Sequence, residues 1–113
     1  MHELSLAGSI LQVVEQARAR DPFARVTHLH LQAGALAGVE LSALRFALAS
    51  LAPGTVLEGA EIAIDELPGT AWCPQCSASV PVFSRLDLCP LCEGAQLQVR
   101  GGTDLKVVDM RVV

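Results

Sequence analysis

Leu6, Ile10, Val13 and Ala17 recur at spacings of four, three and four, which lays one apolar stripe along a helix. The pattern predicts a helix from about residue 4 to 20, and Asp21-Pro22 ends it. Proline disfavours helical geometry in the residue before it and cannot donate the next ladder bond. Over 25–33 the set Thr27, Leu29, Leu31, Ala33 alternates with Val26, His28, His30, Gln32, the period of a strand with one buried face. Gly34 and Gly38 then bracket a turn. A second stripe, Leu41, Leu44, Leu48 and Leu51, predicts a helix over about 40–51, closed by Pro53-Gly54. Residues 59–66 alternate again, with Ala60, Ile62 and Ile64 inward, and predict a second strand.

From Pro68 to Gly102 the texture changes. All four cysteines and three prolines beyond Pro68 crowd into this stretch, and no long periodic stripe runs through it. It reads as a small module. The tail returns to strand character, with Leu105 and Val107 on one parity and Val108, Met110 and Val112 on the other, so a β-bulge is expected at 107–108. A small module cannot bury this tail, which is therefore expected to add a third strand to the first domain. The predicted class is α+β, with two helices on a three-stranded sheet and an inserted zinc-ribbon-like module. The expected domains are residues 1–67 plus 103–113, and residues 68–102.

At 113 residues the chain has room for one real core and a module too small for its own. Hydrophobic residues make up 51% against 18% charged, a balance that folds. Eight Lys plus Arg against twelve Asp plus Glu give a net charge of −4, the wrong sign for gripping phosphates, and four aromatics are too few for a base-stacking platform. Nucleic acid is thus not an expected partner. No apolar run reaches the roughly 18–20 residues of a membrane span, so no membrane role is expected. The start lacks a basic leader and a cleavage site, and the expected location is cytoplasmic.

In a reducing compartment, cysteines in tight pairs favour metal over disulfides. Cys73-Pro74-Gln75-Cys76 and Cys89-Pro90-Leu91-Cys92 are two C-P-x-C knuckles separated by twelve residues, a gap long enough for a hairpin that brings the pairs together. Four soft thiolates with no vacant position describe a closed tetrahedral Zn(II) site. A redox dithiol set and four merely packed cysteines are the competing readings. Redox is disfavoured by the lack of a βαβ setting and of any division between attacking and resolving thiols. Between the knuckles Arg85 is the sole cation, among Val80, Val82, Phe83, Leu86 and Leu88, so the module has no phosphate-binding face. Trp72, beside the first cysteine, reads either as a lid on the cluster or as an anchor for a partner.

Met1-His2-Glu3 stands at the terminus, where bulky His2 keeps the initiator methionine in place. The Met1 amine, the Met1–His2 amide nitrogen and the His2 imidazole can close fused chelate rings, and Glu3 can add a carboxylate or its own amide nitrogen. Planar nitrogen donors select Ni(II) or Cu(II). The competing reading is a frayed, solvated end. His28 and His30 share one strand face and could add to a metal site, but alternation alone explains them. Glu40 reads as a favourable charge opening the second helix.

M-H-E-L-S-L at the start, G-A-L-A-G-V-E-L-S-A-L-R-F-A-L at 34–48, G-T-V-L-E-G-A at 54–60 and the paired knuckles together resemble the HypA-type nickel metallochaperones of hydrogenase and urease maturation. The resemblance covers essentially the whole chain. It implies a nickel-binding α+β domain with an inserted zinc domain, and delivery of Ni(II) with an accessory GTPase to a hydrogenase large-subunit precursor. Residue by residue it implies His2 as the primary nickel ligand assisted by Met1 and Glu3, and Cys73, Cys76, Cys89 and Cys92 around zinc. One departure is Glu93-Gly94 after the second knuckle, where many relatives place glycine directly. No nucleophile–base pair, phosphate loop or open catalytic zinc site is visible, and the chain reads as a non-enzyme. Two rival functions stand beside delivery: a zinc-ribbon interaction adaptor with an inert N-terminus, and a thiol redox protein. Monomer, homodimer and domain-swapped forms all remain compatible with the sequence.

Overall fold

The computed structural model describes residues 2–113, and its elements follow from the chain's own punctuation. Helix α1 spans His2–Arg20 and helix α2 spans Leu41–Leu51; strands β1 (Val26–Gly34), β2 (Glu61–Leu67) and β6 (Leu105–Val112) form one sheet in the order β2-β1-β6. Strands β3 (Gly69–Cys73), β4 (Ala78–Val82) and β5 (Gln98–Gly101) form a second, in the order β4-β3-β5. The class is α+β, with the tail as the third strand of the first sheet.

Chain direction in the first sheet follows from its bonds. Arg25 and Val113 exchange backbone bonds at one end and the Gly34 N–H donates to the Asp104 carbonyl at the other, so β6 runs antiparallel to β1. His28 meets Glu61 while the Ala35 N–H donates to the Leu67 carbonyl, so β2 runs parallel to β1 with α2 as the crossover. Glu40 caps α2: its carboxylate accepts from the N–H groups of Ser42 and Ala43, satisfying donors the first turn cannot.

The chain forms two compact units. One comprises residues up to Leu31 with 39–64 and 107–113; the other comprises 32–38 with 65–106. In the first, α1 packs on α2, and Ala7, Ile10, Val14, Leu29, Leu31, Leu44, Leu48 and Leu57 are buried. The buried stripe of α1 differs from expectation: Val14 is buried and Val13 is 48% exposed. The true stripe runs Ala7, Ile10, Val14, because a buried alanine brings the helix close to its neighbour where a count of large side chains points one position away. The helix also begins two residues earlier than predicted, taking in His2 and Glu3. Along β6, Leu105, Val107 and Met110 are half-buried while Val108 and Asp109 both face outward, the parity slip that an inserted residue produces.

The second unit is wider than the cysteine-rich stretch alone. Segment 32–38 belongs to it because Leu36, in the turn after β1, joins Ala71, Cys73, Val80, Val82 and Cys89 in one apolar cluster. Pairing of β3 with β4 straddles the first knuckle, from Gly69 opposite Val82 to Cys73 opposite Ala78. The hairpin expected between the knuckles is absent; only β4 lies there, and the second knuckle is reached by turns before β5 returns to pair with β3. Three glycines let backbones meet in this unit. A Cβ on Gly34 would collide with the Gly102 carbonyl, and one on Gly102, whose φ is 82°, would strike Gly69. Gly34→Ala should therefore cost about 1–3 kcal/mol or more, read as a lower midpoint in urea, whereas Gly8→Ala, whose Cβ would meet open space inside α1, should be neutral or stabilising.

Candidate metal centres

Cys73 ends β3, Cys76 lies in the turn to β4, and Cys89 and Cys92 flank the second knuckle. The four sulfurs lie within 4.8 Å of one another. Cys73 Sγ is 3.6 Å from Cys92 Sγ, and Cys76 Sγ is 3.9 Å from Cys89 Sγ. A tetrahedral ion with metal–sulfur bonds of about 2.3 Å has sulfur–sulfur edges of about 3.8 Å. Both cross-knuckle separations bracket that edge, and all four cysteines are free thiols. The set therefore fits a closed, four-coordinate metal.

Local backbone geometry sustains the fit. After the second knuckle the Cys89 N–H donates to the Gly94 carbonyl at 2.9 Å and the Glu93 N–H to the Cys89 carbonyl at 2.8 Å. The Leu91 N–H points at Cys89 Sγ from 3.4 Å. This turn requires left-handed backbone at Glu93, φ 62°, just as Ser77 after the first knuckle sits at φ 47°. The two knuckles thus end alike, and Glu93 adopts the conformation glycine would take without strain. A Cβ on Gly94 would lie 3.2 Å from Cys92 Sγ and 2.7 Å from Gln75 Oε1, so a larger residue there would crowd the Cys92 sulfur and displace the Gln75 amide.

The thiols are held unequally. A hydrogen bond with Cys92, then burial and the other two thiols, push Cys76 up to about 12. Burial also opposes ionisation of Cys89, but the backbone N–H groups of Cys92 and Leu91 with the Cys73 and Cys92 thiols outweigh it and bring Cys89 down to about 7. At Cys92 the Gly94 N–H and the Cys76 thiol favour the thiolate, yet burial and the Cys73 and Cys89 thiols prevail and the net direction is up. Without a cation the cluster thus keeps protons on Cys76 and Cys92 at neutral pH. A divalent ion replaces them.

Trp72 does not cover the cluster. It alternates with the buried Ala71 and Cys73 and so leaves β3 from the opposite face; Leu97 and Val99 pack against the cluster instead.

At the other predicted centre, Met1 lies outside the described residues. His2 and Glu3 occupy the first turn of α1. Glu3 Oε2 accepts from the Glu40 N–H at 3.2 Å and lies 3.6 Å from His2 Nδ1. The Glu40 N–H foremost, then the N–H of Glu3 itself and His2, hold the Glu3 carboxyl below its ordinary 4.5. Glu40 is likewise lowered, by the Ser42 hydroxyl and then by the N–H groups of Ala43 and Ser42. Lowered folded values mean that both contribute stability fully above the unfolded value near 4.5 and lose it as pH falls through the folded ones. The link from Glu3 to the start of α2 was not legible in the sequence, since the two lie thirty-seven residues apart.

The family described as hydrogenase/urease nickel incorporation, metallochaperone, HypA matches residues 1–112. The chain belongs to the HypA family. It is 57% identical to the hydrogenase maturation factor HypA of Cupriavidus necator over 112 residues, 99% of this chain and 94% of that one. The same factor from Polaromonas naphthalenivorans is 54% identical, covering 99% and 97%. The solution structure of the Ni metallochaperone HypA from Helicobacter pylori matches with a TM-score of 0.69 at 14% identity, covering 98% of this chain and 97% of that one. Among the described residues, no helix of this HypA-family chain is long and apolar enough to cross a membrane.

Two outcomes test the four-cysteine centre. Zinc uptake by metal-free protein near pH 7 should release at least two protons, one each from Cys76 and Cys92, and apparent affinity should fall steeply as pH drops; calorimetry in buffers of different ionisation heat measures this. Glu93→Gly should stabilise the zinc-loaded protein by up to about 1 kcal/mol, because glycine relieves the left-handed strain, measured as a higher midpoint in denaturant.

Proposed function

We propose that this chain is a non-catalytic nickel carrier that binds Ni(II) transiently at its N-terminus and delivers it for maturation of nickel-iron hydrogenase, and of urease where that enzyme is the client. The family match over residues 1–112 carries the reading. His2 is the principal ligand, with the Met1 amine, the Met1–His2 amide nitrogen and Glu3 completing the set. The nickel-binding part comprises residues 1–67 plus 103–113. Residues 68–102 hold Zn(II) through Cys73, Cys76, Cys89 and Cys92 as a structural ion.

The first-turn geometry suits the task. The first four N–H groups of a helix have no intrahelical acceptor, so amide nitrogens at the start of α1 can serve a metal without breaking the helix ladder. His2 Nδ1 is the ring nitrogen that closes a six-membered chelate with the residue's own amide nitrogen. It already faces the Glu3 carboxylate. Glu3, held ionised by the Glu40 N–H, keeps negative charge beside the cation. His2 has a side chain 61% exposed, so the ion is accessible to a recipient.

The partners are a hydrogenase-maturation GTPase and the hydrogenase large-subunit precursor, met in the cytoplasm, with a homodimer as a further assembly. Phe83, Leu86, Leu88 and Leu91 are 54–91% exposed around the second knuckle, an apolar surface that also favours the rival reading of a zinc-ribbon interaction adaptor.

Nickel titration of untagged, zinc-loaded protein separates the readings. His2→Ala should weaken Ni(II) at the N-terminus by at least about 10–100-fold, and a tag converting the Met1 amine to a peptide nitrogen should do the same. Affinity should also fall between about pH 8 and about pH 6, because protons compete for an amine and an imidazole. Equal affinity in the tagged and native proteins would remove the N-terminal site and leave the adaptor.

A further inference from the structure

The open face of the first sheet carries a cluster that neither proposed centre uses. His28 and His30 lie two residues apart on β1, the central strand. Leu29 and Leu31 between and beyond them are buried, so both imidazoles leave the sheet on the side away from the core. Each meets a carboxylate from a different flanking strand. His28 Nε2 is 3.1 Å from Glu61 Oε2 on β2, and His30 Nδ1 is 3.5 Å from Asp109 Oδ2 on β6. These four side chains, with Arg111 at the edge, line a shallow concavity of about 480 Å³.

We propose that this face is a further binding site for a divalent transition-metal ion of the nickel, copper and zinc group, with His28 and His30 as nitrogen ligands and Glu61 and Asp109 as oxygen ligands or as anchors of the rings. Imidazole suits these ions, and a carboxylate on a ligating ring fixes its orientation and raises its basicity. Bond lengths near 2.0–2.1 Å to nitrogen and 2.0–2.2 Å to oxygen place cis ligands about 2.9 Å apart at a right angle and about 3.4 Å apart in a tetrahedron. The 3.1 and 3.5 Å separations are ion-pair contacts within each pair, so an ion must draw the two pairs together. Residues at i and i+2 of a strand rise by about 6.6 Å, near enough for two rings to converge on one ion. The His28 side chain is 49% exposed and that of His30 is 30% exposed, so an ion can reach both rings from solvent. Two carboxylates against one guanidinium leave the face net anionic when the rings are neutral, the sign a cation needs. Burial does not shield the ion, so the site is an exchanging one, weaker than the thiolate cage.

The site rests on neither the N-terminal reading nor the zinc cluster, and its test keeps them apart. Zinc-loaded full-length His2→Ala protein is titrated with Ni(II) by calorimetry near pH 7.5. One residual equivalent is expected. His28→Ala or His30→Ala alone should weaken it by about 10-fold or more, both together should abolish it, and Glu61→Gln or Asp109→Asn should weaken it several-fold. Protein with His2 intact that carries His28→Ala and His30→Ala should keep the N-terminal equivalent. Ring resonances of His28 and His30 in the His2→Ala protein supply a second readout that requires no change on this face, and both should broaden with paramagnetic Ni(II). No residual binding up to about 1 mM Ni(II), residual binding undiminished by the double variant, or unbroadened rings would each overturn the proposal.

Discussion

In the second unit the hydrophobic core and the candidate metal ligands share residues. Cys73 and Cys89 are two of the six buried members of its apolar cluster, and Cys76 packs against it. The two buried cysteines are thereby removed from water, which raises the cost of the thiolates a cation needs, whereas Cys92 stays exposed. The conflict is visible in the unequal thiols: Cys89 drawn down by backbone donors, Cys76 pushed up by its neighbours. Burial alone would favour four neutral thiols. A divalent ion reverses the balance by compensating the charge of all four at once, and structural zinc in comparable modules contributes about 10–16 kcal/mol of apparent binding free energy. A cluster of six buried residues, most of them small, has nothing of that size in reserve. The left-handed backbone at Ser77 and Glu93 is a further cost sustained by the same source.

The N-terminal centre of the proposed function obeys the opposite logic. His2 and Glu3 lie in the first turn of α1, the His2 side chain is exposed, and the Glu3 carboxylate is held ionised by the Glu40 N–H and then by its own. Little structure is built around it, and little is lost when an ion leaves. Under the proposed function that is the requirement: a carrier must release its cargo, and a ligand set drawn from Met1, His2 and Glu3 leaves the buried core untouched when it empties. Holding Glu3 against the Glu40 N–H limits the freedom of the turn without enclosing it.

Sequence reasoning recovers what periodicity and ligand spacing can carry. Leu44 and Leu48 are buried as their stripe predicts, Ile62 and Ile64 alternate as expected, and the four cysteines converge. It misses what depends on small residues and on distant partners. Val13 and Val14 are adjacent and chemically identical, so only the position of Ala7 and the facing helix decides which one is buried. Leu36 sits in a glycine-flanked turn that carries no period, yet it is 5% exposed because residues remote in sequence cover it. The β3–β4 register straddles the first knuckle because Cys73 is itself a strand residue, whereas spacing alone treats a knuckle as a loop between strands. Glycine contacts such as Gly34 with Gly102 are invisible until the backbone path is known.

Placing a cage of sulfurs and an open set of nitrogens in one chain raises the question of sorting, and donor chemistry answers it only in part. Affinity for divalent ions rises toward copper in nearly every donor set, so neither centre is selective by strength alone. Geometry supplies the difference. Sulfur pairs 3.6 and 3.9 Å apart on two rigid knuckles describe a tetrahedron, which an ion without directional preference accepts and a planar one does not. In the proposed N-terminal set, fused chelate rings through an amide nitrogen enforce a plane instead, which favours Ni(II) and Cu(II) and offers zinc no advantage. The closed cage is completed as the module folds, whereas the planar set stays open to solvent. Under the proposed function, exchange belongs to the ligands that can change hands without changing the fold.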